Sequence, residues 1–412
     1  MAFIAGCHVA FGQSTFSPYT INGIGDLHSS ELASNFAMGG LGVAAPSFYH
    51  INNQNPALLI HNTLSVFQMG IAGETRQISS SLRSQRGNTA GLRYLAFAFP
   101  VIRTKWTTSF GVTPFSTVNY SILSAGDVQG SDVPVTYNVG GEGGISKAYF
   151  SNGFSLGKGF SLGVTAQYMF GFIDSEILTI LADNSLSIAL PTAIFENTSY
   201  KGFRFSGGLA YRKEYKEDSY FNFGLTAESA TDLEGTRLVR LERRSVTDAP
   251  IPGDTIVSNQ KDNFALPTEL AIGFSWQKLN KFTIGIDVHR KNWNKSPGFE
   301  TDLDQYRSTW TLGVGIEFIP KFNDVNSYIK RIKYRFGVNY EQVPYITQNS
   351  TINDFGINFG WSLPVNVVSS VDMGFKLGQR GTTDNSLVRE RYFKFVLGAT
   401  INDRWFVRRR YD

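Results

Sequence analysis

The 412-residue chain carries 33 Phe, 18 Tyr, 6 Trp and 41 Gly, with one Cys, a formal net charge of +4 and a mean hydropathy of −0.14. A bundle of membrane helices is excluded, because each crossing helix needs ~20 mostly apolar residues in a row and small or polar residues interrupt every apolar stretch. Nucleic-acid binding is excluded too, since Lys and Arg are scattered rather than gathered into a stripe, and the lone Cys7 allows neither a disulfide framework nor a cysteine metal cluster.

Residues 1–13, Met-Ala-Phe-Ile-Ala-Gly-Cys-His-Val-Ala-Phe-Gly-Gln, form an apolar run closing on small residues, which reads as a secretory signal peptide lacking its charged start. Cys7 also ends a short lipoprotein-like box, so cleavage near Gln13 and lipidation at Cys7 both stay open. Residues 14–62 alternate too little to form wall strands. Glycines cluster there at Gly23, Gly25, Gly39, Gly40 and Gly42, ahead of Asn55-Pro56-Ala57. Pro56 fixes its own φ and pushes Asn55 away from helical geometry, which suits either a rigid latch or an ordinary turn into the first strand.

From residue 63 onward the chain repeats with period two, the signature of strands with one apolar face. Trp310, Leu312, Val314, Ile316 and Phe318 share a face opposite Thr311, Gly313, Gly315 and Glu317. Phe355, Ile357, Phe359 and Trp361 likewise oppose Gly356, Asn358 and Gly360. Runs of ten or more residues suit tilted membrane strands better than strands of a soluble sandwich. Long and short connections alternate, the long ones covering 74–90, 117–134, 173–198, 229–267, 292–305, 342–350 and 379–388. The expected fold is all-β, an antiparallel transmembrane barrel of about fourteen strands over 63–412 with both chain ends periplasmic.

Three further features stand out along the barrel. Pro114, beside Gly111 and Phe115, removes a ladder donor inside the third strand. By itself it reads as a strand end at the membrane surface. Ile180, Leu181, Leu190, Ile194 and Phe195 make the connection after strand five unusually apolar, as a ligand-capture loop, a partner surface or loop packing would. The closing run Arg408-Arg409-Arg410 is a solvated tail.

With its glycine-rich leader, the Asn55-Pro56-Ala57 motif and about fourteen strands, the chain resembles the FadL-like outer-membrane transport family, in a form typical of Bacteroidetes. The resemblance implies a Gram-negative outer-membrane barrel, monomeric, with residues 14–62 as a luminal plug or hatch. It also implies passive uptake of hydrophobic, fatty-acid-like or detergent-like small molecules, with gated release and lateral exit at strand three. The alternative is a non-transporting relative serving as a subunit or cargo carrier of an outer-membrane protein secretion or assembly complex. Lipid is the surrounding partner in either case, and another outer-membrane protein is the partner in the second.

No enzyme chemistry is expected. Gly153-Phe154-Ser155-Leu156-Gly157 and Gly159-Phe160-Ser161-Leu162-Gly163 match a hydrolase elbow in letters, but that elbow needs a strand-to-helix turn. The five His, at 8, 28, 50, 61 and 289, have no metal-ligand spacing, and no phosphate-binding or dinucleotide fingerprint occurs, so no cofactor or metal is expected.

Overall fold

The computed structural model describes residues 17–81, 83–127, 133–181, 190–245, 249–251, 253–293, 306–347, 350–384 and 387–405. The expected signal peptide at 1–13, Cys7 and the Arg408–Arg410 run lie outside the described residues.

Fourteen wall strands close a ring. They are β1 (Ser65–Ser79), β2 (Ser84–Ile102), β3 in two runs (β3a, Trp106–Pro114, and β3b, Ser116–Asp127), β4 (Pro134–Gly157), β5 (Phe160–Leu181) and β6 (Thr192–Lys216). Next come β7 (Ser219–Glu228, then Thr231–Arg244), β8 (Thr255–Leu266, then Thr268–Lys278), β9 (Phe282–Asn292) and β10 (Thr309–Phe318). Last are β11 (Lys333–Thr347), β12 (Ser350–Pro364), β13 (Ser370–Arg380) and β14 (Arg389–Asp403). Every wall pairing is antiparallel, and β14 closes on β1 without a slip from Arg389↔Ser79 to Asp403↔Ser65. Closure satisfies the main chain inside lipid, where no water could do so.

The period-two pattern places side chains as expected. Trp310, Leu312, Val314, Ile316 and Phe318 are exposed on the outside, as are Phe355 and Ile357. Gly313 and Gly315 face inward and are buried. This continuous apolar exterior, with a polar interior, makes the ring a membrane barrel. The two Gly-x-Ser-x-Gly runs flank the tight turn between β4 and β5, so both Ser155 and Ser161 lie on strands.

The strands are longer than the apolar alternation suggested. Much of the expected long connections 74–90, 173–198 and 229–267 is ladder, as in β5–β6 from Thr179↔Thr192 and β7–β8 from Thr231↔Leu266. Residues 255–263 of β8 are mostly exposed on both faces. Alternation reports only where one face is dry, whereas main-chain pairing continues wherever two strands run side by side.

Residues 17–62 precede the wall as short pieces: 3-10 turns at Pro18–Ile21 and Pro56–His61, a two-residue strand at Asp26–Leu27 and one helical turn at Ala33–Phe36. Most of their side chains are buried, among them Leu32, Leu41, Val43, Ile51 and Leu59.

Candidate functional site

The leading segment meets inward-facing side chains of many strands. Asp287 on β9 accepts at one carboxylate oxygen from the N–H groups of Gly42 (2.6 Å) and Val43 (2.7 Å). Ser275 on β8 donates to the Ala44 carbonyl (2.6 Å) and Asn358 on β12 to that of Phe36 (2.8 Å). Gln68 on β1 accepts from the Ile51 N–H (2.7 Å), and Asn402 on β14 donates to the Tyr49 carbonyl (3.0 Å). His50 Nε2 lies 2.9 Å from Asp372 on β13. A segment with so little regular structure must find main-chain partners elsewhere, and the wall's polar face supplies them.

Gly39 and Gly40 both have positive φ, 68° and 86°, and end the Ala33–Phe36 turn as left-handed residues. Gly39 lies against the main chain of Val314 and Val338, while a Cβ on Gly315 or Gly337 would collide with the main chain of Met38. The lumen-facing glycines of β10 and β11 thus make room for this turn. Asn55 is fully buried and caps the second 3-10 turn, its side-chain oxygen accepting from Ala57 N–H (3.0 Å). Its amide donates to Val43 (2.7 Å) and to Leu209 of β6 (3.3 Å). Asn55-Pro56-Ala57 is therefore a helix cap that also joins two parts of the leader to the wall.

A second group of contacts is ionic. Asp26 pairs with Arg380 (2.6 Å), which pairs in turn with Asp354 (3.0 Å). Arg76 bridges Glu74 and Glu390, and Lys394 lies 3.1 Å from Glu74. Ser17 donates to Glu390, and Tyr19 donates to the Val388 carbonyl (2.6 Å). Buried charges are tolerated only when paired, and opposite charges meet throughout this cluster. Burial alone would raise the Asp26 carboxyl, but Arg380 and Arg76 together hold it below its ordinary value. Burial pushes the Tyr19 hydroxyl up to about 12. The imidazoles of the leader go the other way. Burial lowers His28 and His50, the latter against the pull of Asp372, and drives His61 to about 3 with help from Arg212.

The third strand breaks between Pro114 and Ser116. Run β3a pairs with β2 from Leu95↔Val112 to Ile102↔Trp106, whereas β3b pairs with β4 and with Asp26–Leu27. Among the described residues no ladder joins β3b to β2. Phe115 sits at the break, donating to the Ile145 carbonyl (2.8 Å) and accepting from the His28 N–H (2.8 Å). Its side chain is buried inward with Ile24, Ile145 and Met169. Gly111 stays paired within β3a, pressed against the Leu95 carbonyl.

A cavity remains between the leader and the wall beside this break. Leu27 and Phe115 form an apolar corner, while Lys147, Arg204, Glu228, Glu269, His289 and Lys291 give most of the lining charge. His289 lies 3.0 Å from Glu269 and Arg204 2.8 Å from Glu228. Among the described residues no group of three or more His, Cys, Asp or Glu could hold a metal ion.

Ile180 and Leu181 end β5, and Ile194 and Phe195 belong to β6, so these residues lie on a paired sheet and not in a loop. Ile177 faces Ile194 across the ladder, and Ile180, Leu181, Leu190 and Ile194 are exposed. Residues 186 and 188 fall outside the described set. The Asp26–Arg380–Asp354 cluster carries no signal in the sequence, since nothing in residue order says that Asp26 reaches Arg380 and Asp354.

Fold and interior together define an outer-membrane β-barrel whose lumen is occupied by its own leading segment. The chain belongs to the BamG family, whose model matches residues 1–412. No curated protein matches it in sequence. Similar solved structures include the CymD monoaromatic hydrocarbon channel, at 15% identity and TM-score 0.58 over 90% of this chain and 97% of that one. The toluene transporter TbuX of Ralstonia pickettii aligns at 17% identity and TM-score 0.56 over 90% and 97%. A FadL homologue of Pseudomonas aeruginosa aligns at 12% and 0.58 over 92% and 99%. At these identities the likeness is one of fold, so the expected FadL resemblance holds for architecture while the family is BamG.

Proposed function

We propose that this chain is a sealed outer-membrane barrel, with both ends in the periplasm, that serves as a fixed subunit of an outer-membrane protein assembly. One observation carries the reading: residues 17–62 are tied by buried hydrogen bonds and ion pairs to strands on every side of the lumen, and the space left over is lined by charges. Each buried bond left unmade costs about 1–3 kcal/mol, so releasing such a segment in every transport cycle is unfavourable. A charged chamber also suits apolar cargo poorly. The test is gentle extraction from the native membrane. A stoichiometric protein partner is the expected result; a monodisperse barrel carrying only lipid-like molecules would remove the reading.

A second reading keeps hydrophobic uptake. It is favoured by the missing β2–β3b ladder beside Phe115, where the cavity's apolar corner reaches the wall. On this reading Gly111, Pro114 and Phe115 frame a lateral exit, Gly39, Gly40 and Asn55–Ala57 hold the hatch, and Ile180, Leu181, Leu190, Ile194 and Phe195 gather ligand outside. Uptake of a radiolabelled aromatic hydrocarbon that is lost in Pro114→Val with folding intact would support it.

A further inference from the structure

In an antiparallel strand the N–H and C=O of one residue point to the same side, and the side alternates along the chain. Asn119 turns both groups away from β4: its carbonyl accepts from Ser17 N–H (3.0 Å) and its N–H donates to Thr20 Oγ1 (3.2 Å). Ser121, Leu123 and Ala125 therefore direct their main-chain groups to the same edge, where no ladder among the described residues meets them. Across the gap, β2 from Ser84 to Tyr94 pairs only with β1 among the described residues. Among those residues the wall thus has a slot with an edge on each side that no ladder meets.

The chain already fills the inner end of that slot with itself. Asp26↔Thr117 and Leu27↔Ser116 are antiparallel pairs, and His28 N–H bonds to the Phe115 carbonyl. On the opposite side Glu31 lies 3.7 Å from Arg93, and Ala33 N–H lies 3.4 Å from the Tyr94 hydroxyl. Residues 26–28 are thus held to the β3b edge by few main-chain bonds, Asp26 ties them to the lumen, and residues 31–33 meet β2 through the inward-reaching side chains of Arg93 and Tyr94. Unpaired edges are templates for strand addition.

We propose that the β3b edge is a strand-addition site for an extended segment of a partner polypeptide, and that residues 17–28 are its resident placeholder. The incoming strand takes the placeholder's position and runs antiparallel to β3b from Ser116 outward past Ser121 and Leu123. Exposed Leu92 and Leu123 border the slot, so it carries apolar side chains on their face. The inference rests on the subunit reading and names the surface that holds the partner.

The experiment uses the full chain with Cys7→Ser. One variant adds Leu27→Cys and Ser116→Cys, so that a disulfide locks the placeholder; another adds Asp26→Ala to loosen it. The probe is a fluorescent synthetic peptide of residues 17–28, with a control peptide N-methylated at alternate main-chain nitrogens. The peptide should bind the loosened barrel at least tenfold tighter than the control, slow amide exchange at Ser121 and Leu123, and bind the locked barrel only after reduction. Heat-modifiable gel mobility reports that each variant is folded. No binding to a folded loosened barrel, or equal binding of the control, overturns the assignment. A locked barrel that still retains its native partner also overturns it while leaving the subunit reading intact. Peptide binding by a barrel that never retains a partner does the reverse.

Discussion

Asp287 offers the sharpest single perturbation of the lumen. Its carboxylate is 1% exposed and one oxygen receives two main-chain N–H groups, from Gly42 and Val43. Replacing it with Ala leaves both donors buried without partners, at roughly 1–3 kcal/mol each and so about 2–6 kcal/mol in all. If those amides exchange when residues 39–44 lift from the wall, their exchange should speed up by at least ~30-fold, since about 1.4 kcal/mol is a factor of ten. Asp287→Asn keeps one acceptor oxygen and should fall in between. The assay is hydrogen exchange at the Gly42 and Val43 amides in detergent micelles, with wall amides on β9 as the internal standard. Equal exchange in Asp287→Ala and the parent would refute the claim that this carboxylate seats the segment.

Other consequences follow from the same contacts. Gly315→Val places a side chain on the main chain of Met38, and such overpacking costs about 1–3 kcal/mol; cleavage by an added protease between residues 36 and 44 should rise while the barrel keeps its compact gel mobility. Arg380→Met leaves Asp26 and Asp354 without their shared partner. Breaking a buried pair costs about 3–5 kcal/mol, so the urea midpoint for release of residues 17–28, read by their protease cleavage, should fall sharply. Acid should loosen the leader as well. His28, His50 and His61 have folded-state pKa values below the ordinary ~6.5, so the released segment binds more protons. Stability is then complete above ~6.5 and declines as pH falls toward the folded values. His61, at about 3, contributes at most about 2 kcal/mol of loss at pH 5. Protease cleavage of the leader at pH 5 against pH 7.5 checks this, and His61→Phe should flatten the dependence.

The membrane-facing wall was legible because lipid demands one dry face, and Trp310 through Phe318 announce it residue by residue. The break at Pro114 was legible for a similar reason, since proline removes a donor whatever surrounds it. The outer ladders were not: residues 255–263 of β8 carry no dry face, so their pairing leaves no mark on side-chain order. The apolar group at Ile180, Leu181 and Ile194 was visible as composition, yet its placement on β5 and β6 depended on that unseen pairing. The leader was harder still. Asn55-Pro56-Ala57 was visible as a turn or latch and Gly39-Gly40 as a glycine cluster, but neither the helix cap nor the left-handed turn they form was. That Asp26 meets Arg380, or His50 meets Asp372, depends on contacts more than 300 residues apart in sequence, which no local pattern encodes.

The central claim is that residues 17–62 close the lumen. Conductance of the purified full chain in a planar lipid bilayer tests it most directly, against a variant lacking residues 17–62. The account expects a silent full-length barrel and stable open steps from the shortened one; equal steady conductance from both would contradict it.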